Sequence, residues 1–216
     1  MSRDRAWSFG EELAHSVTHG VGWMASLAGL IVLMVFAMRT GDPWRIGACA
    51  DYAATLVLLY AASTLYHALS GTRARHVFQV LDHSAIFLLI AGTYTPFALV
   101  TLRGPWGWTI FAIVWTLAVA GVTLKAVFGP RWPILSTTIY IAMGWTAVIA
   151  VKPLMASVPP GAIAWLAAGG IAYTGGVTFY AWTRLRYSHA VWHLFVLAGS
   201  VCHYIAILRY IALPAA

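Results

Sequence analysis

Seven apolar runs divide this chain of 216 residues, at about residues 20–38, 46–69, 83–102, 106–128, 134–151, 162–183 and 190–212. Each is close to the roughly 20 residues that an α-helix needs to cross a bilayer. The runs are continuous rather than alternating, which excludes a closed membrane barrel. The breaks between them are short and rich in charge, Gly and Pro, as at Gly41-Asp42-Pro43 and Arg103-Gly104-Pro105. Short breaks between long spans predict an all-α, up-down, integral membrane bundle of seven transmembrane helices. With 61% hydrophobic and 9% charged residues, the composition is not that of a soluble protein.

The polar positions divide the chain further. Residues 1–19 read as an N-terminal cytoplasmic or interfacial segment, and residues 20–216 as the seven-helix transmembrane domain. The stretch 7–18 mixes Trp, Phe and Leu with two Glu and a His, as a short interfacial helix leading into the first span would. The first twelve residues hold three acids and no apolar run, so no cleavable signal peptide is expected. The two cysteines, Cys49 and Cys202, lie in apolar runs and read as small core residues, with no disulfide framework.

Basic residues set the expected orientation. One side of the predicted bundle carries Arg3, Arg5, Arg73, Arg75, Lys125, Arg131, Arg184 and Arg186. The other carries Arg39, Arg45, Arg103, Lys152 and Arg209. The excess of eight over five places the N-terminus in the cytoplasm and the C-terminus outside, in the cell (inner) membrane. The formal charge of +7 is scattered through loops as topology signals, and no nucleic acid is expected as a partner.

On that topology His67, Asp82, His189 and His193 all reach the same, cytoplasmic side. Ionisable groups at membrane depth cost about 2.5–3.5 kcal/mol for an Asp at a helix centre, so they usually face the protein interior and carry function. His189 and His193 are four residues apart, about 40° of rotation and one turn of rise, so both rings can reach one ion. His67 closes the second span, with Ser63 one turn deeper on the same face, and Asp82 opens the third. Three neutral imidazoles with an open fourth position are the catalytic type of zinc site. His189-Ala190-Val191-Trp192-His193 has no Glu after its first His, so the base must come from elsewhere. Asp82 is the natural choice, and Ser63 can donate to water or to a substrate carbonyl. Of the other histidines, His15 and His76 read as solvated, His19 stays open as a further ligand, and His83 points away from Asp82. His203 lies about 15 Å along the helix from His193 and reads as an interhelical hydrogen-bonder.

Three blocks carry a resemblance. Ser63-Thr64-Leu65-Tyr66-His67, then Leu81-Asp82-His83-Ser84 running into Gly92-Thr93-Tyr94-Thr95-Pro96-Phe97, then Ser188-His189-Ala190-Val191-Trp192-His193 resemble the signature blocks of the hemolysin III family. That is the bacterial branch of the progestin and adipoQ receptors, which include the adiponectin receptors and are more distantly related to alkaline ceramidases. Glu11-Glu12 and Thr18-His19-Gly20 resemble the branch's N-terminal block. The resemblance implies zinc (Zn2+) held by His67, His189 and His193, a water held by Asp82 with Ser63 nearby, and a cytoplasmic N-terminus. His15 is a departure, since bacterial members more often carry Asn there. The expected function is metal-dependent hydrolysis of a lipid amide or ester, with a membrane lipid as partner and substrate. The alternatives are a non-catalytic sensor or regulator of membrane homeostasis with structural zinc, and a haemolysin-like pore. No polar stripe crosses any span from end to end, which disfavours the pore.

Overall fold

The computed structural model describes residues 7–213; Arg3, Arg5, Asp4 and the C-terminal Ala216, used in the charge and topology reading, lie outside the described residues. The described chain is helical throughout and has no strand. Helix α1 spans Phe9–Arg39, α2 Pro43–Ala68, α3 Arg75–Pro96, α4 Pro105–Phe128, α5 Pro133–Gly144, α6 Val151–Ser157, α7 Pro160–Ala181 and α8 Ser188–Ile207. Among the described residues seven helical stretches are long and apolar enough to cross a membrane, the fifth of them made of α5 and α6 together. Side chains such as Met24, Ile31, Ile134, Met155, Ile171 and Val201 are exposed on the outer faces. So extensive an apolar exterior fits a lipid surround rather than water.

Local sequence explains most boundaries. Ser8 caps α1 in a reciprocal box with Glu11: the Glu11 amide donates to Ser8 Oγ at 3.3 Å, and the Ser8 amide donates to Glu11 Oε2 at 3.0 Å. A cap of this type contributes about 1 kcal/mol. Asp42 caps α2 through the Trp44 amide, and its other oxygen accepts from Arg103 at 2.8 Å, joining two loops at the end of the bundle opposite the N-terminus. Pro43, Pro105, Pro133 and Pro160 each stand at a helix start, where the missing N–H costs nothing. Gly129, at φ +68°, ends α4 in the left-handed region that favours glycine.

Two spans are irregular. Pro96 interrupts the hydrogen-bond ladder of α3, and a π-helical turn, Phe97–Leu102, completes the span. The fifth span breaks at Gly144, and a 3₁₀ turn leads into α6. Tyr94 repairs that break: its hydroxyl donates to the Gly144 carbonyl at 2.6 Å and accepts from the Ala147 amide at 3.0 Å. Backbone groups freed at membrane depth need such partners.

Helix α1 packs against α2 and α8, α2 against α3, α3 against α4, and α7 against α8. Small residues allow close approach: a Cβ on Gly92 would collide with Thr55, and one on Gly22 with Tyr60. Ser200 of α8 bonds both Tyr60 of α2 (2.8 Å) and Tyr173 of α7 (2.7 Å), tying three helices together. Such interhelical bonds are worth about 0.6 kcal/mol each on average.

The structure corrects the sequence reading at the first span. Helix α1 begins at Phe9 and runs unbroken past residue 20, so among the described residues no helix boundary falls at residue 19. Its polar face is not solvated. Glu11, Glu12, His15 and His19 are all buried against the bundle, which is why a polar stretch here belongs to a span. Asp82 likewise lies two turns inside α3 rather than at its start.

Candidate metal centre

The site lies at the bundle end that holds the α1 N-terminus. His67 comes from the last turn of α2, and His189 and His193 come from the first two turns of α8. One ring nitrogen from each of these three lies within 4.8 Å of the other two. The spacing on α8 works as the helical period requires: the two rings are 4.6 Å apart, centre to centre.

Helix α1 fixes the orientation of two of these rings. His67 Nδ1 donates to Glu12 Oε2 at 2.8 Å, and its Nε2 has no hydrogen-bond partner among the described residues. His193 Nδ1 lies 3.1 Å from Thr18 Oγ1 and 3.2 Å from the His15 carbonyl. The Thr18 hydroxyl is itself placed to donate to the Ala14 and His15 carbonyls, so His193 Nδ1–H is the donor in this group. Both imidazoles are thus held as the tautomer with Nε2 free to ligate. A carboxylate or carbonyl behind the ring is the usual backing of a metal-binding histidine. The buried, unpartnered Nε2 of His67 is the observation that tests the fit: leaving such an atom unmet costs about 1–3 kcal/mol, and an ion would meet it. The donor set of neutral imidazoles suits zinc among other divalent metals.

Glu12 is the residue that the sequence reading missed. Its other oxygen accepts from Arg75 at 2.6 Å, so it joins α1, α2 and α3. Trp7 covers the same end. Its ring lies 4.8 Å from His189, 5.3 Å from His67 and 4.9 Å from His15, with the Arg75 guanidinium 5.9 Å away.

His15 is 1% exposed, not solvated, and its ring sits among those of His67, His189 and His193. Together with Glu12 and His67 it forms a second set whose ligand atoms lie within 4.8 Å of one another. His19 is one turn deeper, stacked on His193 at 3.5 Å, with Nδ1 2.7 Å from Ser63 Oγ. It belongs to neither set. His76 is exposed, and His203 meets the Leu166 carbonyl at 3.1 Å, as an interhelical hydrogen-bonder should. Cys49 and Cys202 are both free thiols.

Asp82 and Ser63 stand beside the imidazoles rather than among their nitrogens. Both are buried, the Asp82 carboxylate lies against the Ser63 hydroxyl, and Ser63 links it to His19. These groups form one wall of a cavity of about 160 Å³ that reaches His189 and His193 and runs toward His203. Its other walls are mostly apolar or aromatic and come from α3, α4, α5, α7 and α8, with Ile86, Tyr140, Val177 and Trp192 among them. Lys125, which the sequence offers only as a topology charge, is buried in this wall and donates to the Arg131 carbonyl at 3.1 Å.

A family model described as haemolysin-III related matches residues 7–204. The chain is 46% identical over 206 residues to Hemolysin-3 of Bacillus cereus, covering 95% of this chain and 94% of that relative. It is 42% identical over 200 residues to a Hemolysin-3 homolog of Bacillus subtilis (strain 168), covering 93% and 94%. A weaker similarity, 25% over 207 residues, covers 93% of the chain and 84% of the human monocyte to macrophage differentiation factor. A bundle of seven apolar helices with a buried His/Glu cluster at one end, matched along nearly its whole length, places this chain in the haemolysin-III-related family of multi-pass membrane proteins.

Proposed function

We propose that the chain is a zinc-dependent hydrolase of a membrane lipid amide or ester, with its site at the cytoplasmic side of the cell membrane. The observation that carries this reading is the junction of two features. Three convergent imidazoles meet the end of an apolar cavity, and an unligated carboxylate stands on the cavity wall. A long apolar chain suits that cavity, and its polar carbonyl would lie at the His193 and Asp82 end. The eight-to-five excess of basic residues supports the cytoplasmic side.

Zinc, when bound by His67, His189 and His193, supplies Lewis acidity that polarises a carbonyl and acidifies water. The protein does the rest. Glu12 and Thr18 hold two of the ligand rings in the required tautomer. Asp82 accepts the proton that water loses on attack at the carbonyl, a role worth about 10²–10⁴ in rate. Ser63 holds the Asp82 carboxylate in place and is held in turn by His19. Trp7 and Arg75 cover the site from the bundle end, so the substrate enters from the cavity.

A second reading is a non-catalytic regulator of membrane state in which the ion clamps helices together. The close burial of the ligand rings beneath Trp7 favours it. The test is turnover of a panel of lipid amides and esters by the zinc-loaded chain in detergent, against the His193→Ala variant. Turnover by the wild type and none by the variant is the expected result. Zinc bound with no turnover of any panel member, and a lower melting temperature after chelation, would replace the hydrolase with the clamp.

A further inference from the structure

We propose that His15 is a fourth imidazole ligand, so that the resting ion is closed by His15, His67, His189 and His193. This rests on the reading that the three-histidine set holds a metal.

Four buried or half-buried rings surround one point. His15 lies 4.7 Å from His67, 4.8 Å from His189 and 5.5 Å from His193, centre to centre. The other three separations are 5.4 Å, 5.2 Å and 4.6 Å. Nitrogen ligands about 2.0–2.1 Å from a tetrahedral ion put imidazole centres roughly 5 Å apart. All six separations, from 4.6 to 5.5 Å, lie close to that spacing, and only the 5.5 Å from His15 to His193 exceeds the largest within the trio, 5.4 Å.

The second observation concerns hydrogen bonding. Among the described residues neither His15 Nδ1 nor His15 Nε2 has a hydrogen-bond partner, although the ring is 1% exposed. Burial of an imidazole with both nitrogens unmet is costly, so the fold implies a missing partner. Glu12 explains the orientation. The same oxygen, Oε2, faces both His67 Nδ1 at 2.8 Å and His15 Nδ1 at 3.9 Å. One carboxylate thus stands behind two rings and leaves Nε2 of each unpartnered.

In the structure the His15 ligand atom groups with Glu12 and His67, while His67 also belongs to the trio with His189 and His193. In the proposed resting state the His15 side chain turns on α1 so that its ligand atom joins the second set. Toward the trio, it fills the fourth position and anchors α1 to the ion. Back toward Glu12, it leaves that position open to water or a carbonyl. A resting centre of this kind is closed until His15 withdraws.

The test uses the full chain in detergent, loaded with Co²⁺ alone. Each ligating imidazole contributes one hyperfine-shifted, exchangeable ring N–H to the proton spectrum. Four such signals in the wild type and three in His15→Asn are expected, together with at least about tenfold weaker zinc retention against a competing chelator in the variant. His15→Gln serves where the Asn variant does not fold. Three signals in the wild type would overturn the proposal and leave the three-histidine reading intact. Four in both proteins would overturn it as well, by assigning the fourth ligand elsewhere. No shifted signals, with no metal retained, would overturn the metal reading on which the proposal depends.

Discussion

Glu12, near the start of α1, accepts a hydrogen bond from Nδ1 of His67, at the end of α2, across 2.8 Å. The two residues are 55 apart in sequence, and the bond fixes which nitrogen of His67 is left to face His189 and His193. Glu12→Gln keeps the shape and removes the charge. Metal affinity should fall by about 10–100-fold, the usual effect of losing the group behind a ligating histidine, while the helical content stays unchanged. A chelator competition titration with circular dichroism on the same samples checks both. Unchanged affinity would reduce Glu12 to a partner of Arg75.

Asp82→Asn separates proton transfer from metal holding. Asp82 belongs to neither ligand set, so zinc stoichiometry should stay near that of the wild type. Hydrolysis should drop by about 10²–10⁴. Loss of zinc from the variant would make Asp82 a direct ligand, and equal turnover would remove it from the mechanism.

Filling the cavity should block substrate without touching the ion. Val177→Trp adds bulk on the α7 wall, and α7 carries none of the candidate ligand residues. Turnover of lipid substrates should fall at least about tenfold with zinc content unchanged. A variant that turns over the panel normally would show that the substrate uses another route.

Orientation has its own measurement. A reporter placed in the loop holding Arg73 should read cytoplasmic, and one fused after Ala216 external. An external reading for the Arg73 loop would move the site to the opposite face of the membrane.

The spans were legible because hydropathy depends on composition over about 20 residues, and turn chemistry marks the breaks between them. The convergence of His67, His189 and His193 was legible because two share a helix face and the third ends a span at matching depth. Glu12 and His15 were not. Polarity near the start of a chain looks the same whether it faces water or the bundle, and only the packing of α1 against α2 and α8 decides. A signal was present, since Glu12, His15 and His19 recur at helical spacing along one face. Lys125 was hidden for a related reason. A lone basic residue near a span end reads as a topology marker, and its burial in the cavity wall depends on how α4 packs.

The candidate ligands and the groups behind them are far apart in sequence: Glu12 and Thr18 lie on α1, and His193 lies on α8. A ribosome delivers α1 to the membrane well before α8. The three-imidazole set needs α2 and α8, and the groups behind its rings need α1, so it is complete only once α8 has inserted. On the proposed metal reading, ion uptake waits for α8, and a chain truncated before α8 would keep most of its spans yet lack His189 and His193.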